Sequence, residues 1–556
     1  MVFETSFQRT THSVTQRRWL TAVLSFFLVA TPLVFWRLGA VDVVTMEGIV
    51  ADGAREMART GDLWVPRLHG EVYTYKPPLA YWLALVATGG ETTTDAWSLR
   101  LPFALSGLLM AGVVLMAVGR RLGPVAGWVC AVASVTSILA LQKFRLAEFD
   151  APLAAGVGIA STLAMVELTA DRPSRWRWPT VYLALALAFL AKGVPALMFF
   201  GPGLLIAALW TSSWRRLLSP AHLVGCSLFA AVVGLWLAAA WQGEGWGAFE
   251  QPLREANARG LTWSPEALAA TLRKPIVLLG VFFPWTLALP LGLRAQVRAR
   301  WSPRARPLLR AAAGFTLGGL LTLMAVPATE TRYLLPLAAP VGVLCGTLLY
   351  QAPATGRLRG LRCLTFGLGA LIVLLTPWAV TLGHLEVPMT HAWILMGVGA
   401  LVALAALELH RLPLPPRLRA TGAILACVLA LWAMQLYASE PHRAHSRSLR
   451  GVAAEFEPHL DVSEPLWVGP VSGGFHHSSL LFYLRRPVRT FALDQSPPLD
   501  AAVVLFSDEQ PMRDGAPSFP HRLLVQEVQR GVRFALVRVR AEGSDHPTEE
   551  GSIAGP

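Results

Sequence analysis

Long apolar runs alternate with short polar segments along most of this chain. A transmembrane helix needs about 20 predominantly apolar residues, and runs of this kind recur down to about residue 437. The pattern predicts an all-α polytopic membrane protein with about 13 transmembrane helices. Their approximate limits are residues 19–38, 99–118, 124–141, 151–168, 178–191, 194–210, 222–241, 275–293, 308–326, 333–350, 364–383, 392–409 and 420–437.

The gaps between these runs carry charge in an alternating pattern. Every second gap is rich in arginine, from Arg120 and Arg121 to Arg417 and Arg419, and the intervening gaps hold most of the acids. By the positive-inside rule the arginine-rich gaps and the N-terminal segment, residues 1–18, face the cytoplasm. Any chemistry carried by the acids is therefore expected on the outer face. The alternation also requires a hairpin that turns outside at Lys192.

The pattern changes after about residue 440. Alternating runs at 465–468, 501–506 and 532–539 predict strands, and 478–484 predicts a helix. We expect a membrane module over 19–438 with a long first outer loop at 39–98. A small soluble α/β domain over 439–540 follows on the outer face, and a polar, disordered tail over 541–556 ends the chain.

Composition supports the bilayer as the solvent of this chain. Hydrophobic residues make up 54% of it and charged residues 15%, which is unlike a soluble globular protein. The net charge of +13 is spread in short arginine clusters between apolar runs rather than over one basic face, so no nucleic acid partner is predicted. The five cysteines lack metal-ligand spacing and are interpreted as reduced packing residues.

Several short motifs occur in a fixed order along the chain. They are Met46-Glu47-Gly48, Thr60-Gly61-Asp62-Leu63-Trp64, Lys76-Pro77-Pro78-Leu79, Arg100-Leu101-Pro102, Glu148-Phe149-Asp150, Leu190-Ala191-Lys192-Gly193, Phe283-Pro284-Trp285 and Arg332-Tyr333-Leu334-Leu335-Pro336. Over residues 19–440 the chain resembles the bacterial aminoarabinose transferase and protein mannosyltransferase group of C-type (GT-C) glycosyltransferases.

This resemblance implies the GT-C fold and an inverting transfer of a sugar from a polyprenyl phosphate to an acceptor. The reaction is expected at the outer face of the bacterial plasma membrane. Besides membrane lipids, the implied partners are the polyprenyl-phosphate-linked sugar and a lipid, glycan or protein acceptor. No cofactor is implied beyond the donor substrate, and dependence on a divalent metal is left open.

In the family, an acid of the first loop acts as base toward the acceptor, and a second acid at the start of a later helix supports the site. The matching residues here are Glu47 and Asp150. The family's usual Asp-Glu pair reads Met46-Glu47, and Ile49 replaces an arginine. Either Glu47 takes over the role of base, or another acid does, or activity is lost. The plain alternative is that Glu47 is solvated or caps a helix, and that Asp150 is an N-cap.

Cationic groups are also needed, because they stabilise the leaving phosphate. The candidates are Lys76, Lys192, Arg254 and Arg259, together with Tyr333, which resembles the family's phosphate-binding tyrosine. Lysines near helix ends commonly extend to lipid headgroups, which is the alternative interpretation of both lysines. At the level of the whole protein, the alternatives are a transporter or flippase of a lipid-linked substrate, and an inactive scaffold.

Overall fold

The computed structural model describes residues 2–44, 46–68, 71–90, 95–247, 265–326, 330–351, 358–381, 388–409, 411–461, 464–468, 478–486, 488–490, 497–508, 519–529 and 532–540. Most of these residues are helical. The helices are α1 Val2–Phe35, α2 Met46–Thr60, α3 Leu79–Thr88, α4 Ala96–Leu122, α5 Pro124–Val135, α6 Ile138–Lys143, α7 Asp150–Thr169, α8 Arg177–Lys192, α9 Pro195–Trp210, α10 Pro220–Glu244, α11 Pro265–Val281, α12 Leu289–Leu293, α13 Ala295–Arg298, α14 Ala305–Met324, α15 Ala338–Gln351, α16 Leu358–Thr381, α17 Met389–Glu408, α18 Pro416–Met434, α19 Glu440–Arg447, α20 Arg450–Phe456 and α21 Ser478–Leu484. Short 3-10 turns cover Trp214–Leu218, Trp285–Ala288, Thr331–Leu337 and Glu457–His459, and a π turn covers Gln435–Ser439.

In the described part of the chain, eight helices are long and apolar enough to cross a membrane. A ninth span results if α11 and the segment Trp285–Leu293, bent by 94°, count as one. The chain is thus a multi-pass membrane protein. Each of the predicted runs contains helix, but several are shorter or broken, so the number of about 13 spans stays a prediction.

Two of the breaks pack against each other. The run predicted at 124–141 is interrupted at Thr136 and Ser137, and the run at 275–293 bends after Val281. The Trp285 side chain donates to Thr136 Oγ1 (3.0 Å), and the amide of Ile138 donates to the carbonyl of Phe283 (3.3 Å). Backbone that leaves the helix inside an apolar bundle needs such internal partners, because lipid offers none.

Small residues let the central helices approach closely. α9 and α14 cross where Gly203 faces Gly318, and a Cβ atom on Gly318 would lie 2.4 Å from the Gly203 nitrogen. Glycine is therefore required at this crossing, as is common between helices in membranes.

Strands occur in two places. In the first loop, β1 (Arg67–Leu68) and β2 (Glu71–Val72) form a short antiparallel pair. Near the C-terminus, β3 (Leu466–Val468), β4 (Val488–Thr490), β5 (Ala502–Asp508), β6 (His521–Gln529) and β7 (Val532–Val539) form one sheet of order β4-β3-β5-β7-β6. β3 is parallel to β4 and β5, whereas β7 is antiparallel to β5 and β6. α20 and α21 share an apolar cluster with this sheet, and the small soluble α/β domain over 439–540 stays a prediction.

The two ends of the bundle differ in charge. At one end, Asp150 at the start of α7 contacts Lys192 at the end of α8. At the other end, Glu167 near the end of α7 pairs with Arg177 at the start of α8. The acid-rich and arginine-rich gaps therefore lie at opposite ends of these helices, and the side of the membrane that each end faces stays a prediction.

Candidate functional site

Asp150, Lys192, Arg332 and Tyr333 meet at the acid-rich end, and we call them the Asp150 cluster. Lys192 Nζ donates to Asp150 Oδ1 (2.5 Å), and Arg332 Nε lies 3.9 Å from Asp150 Oδ2. Lys192 Nζ also lies 4.7 Å from the centre of the Tyr333 ring, and Arg332 Cζ lies 5.7 Å from it. The predicted residues Asp150, Lys192 and Tyr333 thus come together.

The local sequence explains how these side chains reach one point. Asp150 is the first residue of α7, but its carboxylate binds Lys192 rather than capping the helix. Gly193, with a φ angle of 76°, ends α8 directly after Lys192 and directs the chain into α9. Arg332 and Tyr333 open the 3-10 turn Thr331–Leu337. Three helix ends therefore supply the cluster.

The cluster carries more positive than negative charge. Within the cluster, one buried carboxylate faces both an ammonium and a guanidinium, and the buried Glu148, which also interacts with Arg332, is paired with Lys143. The Arg332 side chain is 26% exposed, and its Nε has no hydrogen-bond partner among the residues that the structure describes. The carboxylate of Glu330, 3.8 Å from Arg332 Nε, is 56% exposed and so solvated. An anionic group could therefore be bound here through charge-assisted hydrogen bonds.

Arg332 was not among the residues predicted for the site. Its signal was its place in the motif Arg332-Tyr333-Leu334-Leu335-Pro336, in which only the tyrosine was singled out. A second pair nearby, Lys143 with Glu148, was also not predicted as a pair; Lys143 Nζ lies 2.7 and 3.0 Å from the two Glu148 oxygens.

Lys76 follows β2 and is half-buried in the segment that leads into α3. The next residue, Pro77, would lie 3.8 Å from a Cβ atom on Gly193, the residue after Lys192. The loop lysine and the helix lysine are thus carried by segments in contact. Arg254 and Arg259 lie outside the described residues.

Glu47 is placed differently from Asp150. Its side chain has an exposed fraction of 0%, and both carboxylate oxygens accept from Arg100, each at 2.7 Å. Glu47 Oε1 also accepts from the amide of Ala147 (2.9 Å). Arg100 in turn donates to the carbonyls of Leu38, Val41 and Asp42, at 2.9 to 3.0 Å.

The Glu47–Arg100 pair therefore joins the first loop to α4 and to the segment before α7. The predicted alternative of a solvated Glu47 is wrong, because the side chain has no access to solvent. The role of base stays a prediction for Glu47, and this geometry does not favour it, since both oxygens already have partners.

Residues 75–239 match the family described as dolichyl-phosphate-mannose-protein mannosyltransferase. A curated relative is the undecaprenyl phosphate-alpha-4-amino-4-deoxy-L-arabinose arabinosyl transferase of Edwardsiella ictaluri (strain 93-146), 26% identical over 354 residues, or 60% of this chain. The match spans 61% of that relative's own length.

Two solved structures share the architecture. The crystal structure of ArnT from Cupriavidus metallidurans bound to undecaprenyl phosphate has a TM-score of 0.70 and 22% identity, covering 96% of this chain and 99% of that one. The apo structure of the same protein has a TM-score of 0.69 and 21% identity, covering 93% and 97%. The class is thus a membrane protein of the GT-C fold, as predicted. Within that class, the comparisons support the predicted resemblance to the aminoarabinose transferase-like glycosyltransferases.

Proposed function

We propose that this chain is a glycosyltransferase of the bacterial inner membrane that moves a sugar from a polyprenyl phosphate to an acceptor. The observation that carries the proposal is the Asp150 cluster: a carboxylate held beside two cations at three helix ends, next to the segment that carries Lys76. The fold and the relatives' chemistry support the same class of reaction.

In the proposed reaction, an acceptor oxygen attacks the anomeric carbon of the donor sugar. The bond between that carbon and the phosphate oxygen breaks, and its electron pair stays on the phosphate, so that polyprenyl phosphate leaves as an anion. Arg332, Lys192 and Lys76 stabilise this anion electrostatically, and Tyr333 lines the phosphate site. The acceptor proton passes to a carboxylate, for which we propose Asp150.

Asp150 is preferred to Glu47 as the acid–base group because of what surrounds each one. Arg332 beside Asp150 is partly exposed, and the ion-pair partners of Asp150 in the described part of the chain are cations that a phosphate can also engage. Glu47 is enclosed by Arg100 and by backbone amides. We therefore assign Glu47 the role of holding the first loop in place. Met46 stands where the family usually has an aspartate, and this replacement agrees with a shift of the acid–base role to another residue.

The positive-inside rule supports an outer location for the cluster and a cytoplasmic N-terminus. A lipid, a glycan or a protein hydroxyl each fit the proposal as acceptor.

The test uses full-length protein in lipid nanodiscs with an undecaprenyl phosphate sugar labelled in both the sugar and the lipid. A glycosyltransferase releases undecaprenyl phosphate as the sugar label appears in an acceptor from envelope extract. A flippase moves both labels together without release. A folded protein that neither releases nor moves the donor, with each of the three acceptor classes supplied, would contradict the proposal in favour of an inactive scaffold.

A further inference from the structure

A second concave site lies at the arginine-rich end of the bundle. A cavity of about 500 Å³ opens between the ends of α4 and α7, the start of α8 and the residue before α14. Its charged lining consists of Arg120, Arg121, Arg172, Arg177, Arg304 and Asp171. We call it the arginine pocket. Its volume falls within the ordinary range of small-molecule sites, which is about 300 to 1,000 Å³.

Buried contacts near the pocket fix its frame. Arg177 pairs with Glu167, whose side chain is 1% exposed and also accepts from the amide of Ser174. Arg216, just outside the lining, donates to the carbonyls of Glu167 and Ala170 and so closes the end of α7. These arginines have structural partners, and they hold the end of α7 against the start of α8.

The other arginines of the pocket are not neutralised in this way. Within the part of the chain that the structure describes, Arg120, Arg121, Arg172 and Arg304 have no carboxylate within ion-pair distance. Arg121 Nε donates only to a backbone carbonyl, that of Arg304 (3.3 Å). Asp171 is the one acid in the lining. Arg121, which is only partly exposed, is repelled by Arg304 and Arg177 and attracted by Asp171, so an anion in the cavity would reduce the repulsion among these cations.

The charge rule for membrane proteins requires arginines at this end but does not require them to converge. Arg411, in a different arginine-rich gap, is 68% exposed and pairs with Glu408 at 2.6 Å. The pocket also has an apolar side, to which Leu163 and Val166 of α7 contribute. Basic pockets between membrane helices bind the headgroups of anionic lipids.

We propose that the arginine pocket binds the phosphate headgroup of an anionic membrane phospholipid. The acyl chains of this lipid extend from the pocket along its apolar side. The site is distinct from the Asp150 cluster, because Asp150 and Asp171 lie at opposite ends of α7, a helix of 20 residues and thus about 30 Å long. The proposal does not depend on the proposed enzymatic activity.

The test is native mass spectrometry of the full-length protein, titrated with phosphatidylglycerol, with phosphatidylcholine and with inorganic phosphate. Phosphatidylglycerol should bind at least about tenfold more tightly than phosphatidylcholine, because the choline ammonium offsets the phosphate charge in the second lipid. Inorganic phosphate at the same concentration should not displace it. Equal affinity for the two lipids, or full displacement by inorganic phosphate, would overturn the proposal.

Variants locate the binding in the pocket. The double variant Arg120→Gln/Arg172→Gln removes two exposed side chains and should lose the preference for phosphatidylglycerol. Arg411→Gln, the matched control, should keep it. Asp171→Asn removes the acid of the lining and should tighten phosphatidylglycerol binding, an effect that loss of structure does not produce. If Asp171→Asn leaves the affinity unchanged, or if the control loses the preference as much as the double variant, the proposal fails.

Discussion

Glu47 and Asp150 are both buried carboxylates at the same end of the bundle, and each contacts a guanidinium. The Arg100 that binds Glu47 is itself 1% exposed, and its donors also reach three backbone carbonyls. The Arg332 beside Asp150 is 26% exposed, and its Nε lacks a hydrogen-bond partner in the described part of the chain.

This comparison indicates that the Glu47–Arg100 pair is structural, whereas the Asp150 cluster can bind a ligand. In the Glu47–Arg100 pair, the charges and hydrogen bonds are matched within the protein, so a further anion would gain nothing there. In the Asp150 cluster, Lys192 and Arg332 share one buried carboxylate, and the second acid beside Arg332, Glu330, is 56% exposed, so both cations can also engage a phosphate. Glu47 and Asp150 are both acids within family motifs, and only the side chains that each one contacts distinguish their roles.

The largest effect is expected from Asp150→Asn. The amide preserves the shape of the side chain but cannot take a proton, so the transfer rate should fall by about 10²- to 10⁴-fold. The measurement is release of undecaprenyl phosphate per folded molecule. Folded yield should fall less than in Glu47→Gln, because Lys192 is 11% exposed whereas Arg100 is 1% exposed, and because Asp150 does not cap α7. Near wild-type turnover in this variant would remove Asp150 from the acid–base role.

Glu47→Gln should act on stability instead. Breaking a buried ion pair leaves Arg100 uncompensated and costs about 3 to 5 kcal/mol in free energy of unfolding. We expect a large drop in the midpoint of thermal unfolding, with activity falling in proportion to the folded fraction.

A double-mutant cycle sharpens this prediction. Glu47→Gln combined with Arg100→Met should be less destabilising than the sum of the two single changes, because both charges are then gone. A stable Glu47→Gln protein that binds the donor but does not turn it over would reverse our assignment and make Glu47 the base.

The sequence predicted one of these regions better than the other. Asp150, Lys192 and Tyr333 could be placed together because helix length and the alternation of charged gaps put their helix ends on one side of the membrane. The partner of Glu47 could not be predicted, because Arg100 lies 53 residues away and its motif gives no sign of an ion pair. The buried residues of α2 pack against α3 and α21, and no sequence pattern indicated these partners. Such contacts depend on tertiary packing rather than on periodicity.

Arg332→Gln should weaken donor binding rather than the fold. Losing one charge-assisted hydrogen bond costs about 1.5 to 3 kcal/mol, which corresponds to roughly 10- to 100-fold in the donor dissociation constant. Donor titration by intrinsic fluorescence measures this, with Arg411→Gln as a control from a surface ion pair. Unchanged donor affinity in Arg332→Gln would place the phosphate elsewhere.

The last prediction concerns a third buried acid, Asp52 on α2, and its effect depends on pH. Burial raises the pKa of Asp52 to about 7, against a lowering by Arg55, whose Nη1 lies 3.2 Å from Asp52 Oδ1. Glu56 raises the pKa further, and Ser478 of α21 lowers it. Asp52 therefore keeps its proton in the folded state up to near neutral pH.

The unfolded chain loses this proton near the ordinary pKa of 3.8. Between about pH 4 and pH 7 the folded state thus binds more protons, so the free energy of unfolding falls as pH rises, by at most about 1.4 kcal/mol per unit. Above the folded pKa the contribution stays constant.

Asp52→Asn should remove this slope and stabilise the α2–α21 contact at pH 8, where wild-type Asp52 is ionised. Hydrogen exchange of the α2 amides at pH 5 and pH 8 measures both effects, with the exposed Glu408→Gln as control. If the pH dependence of exchange in α2 is the same in Asp52→Asn and in wild type, Asp52 does not control this contact.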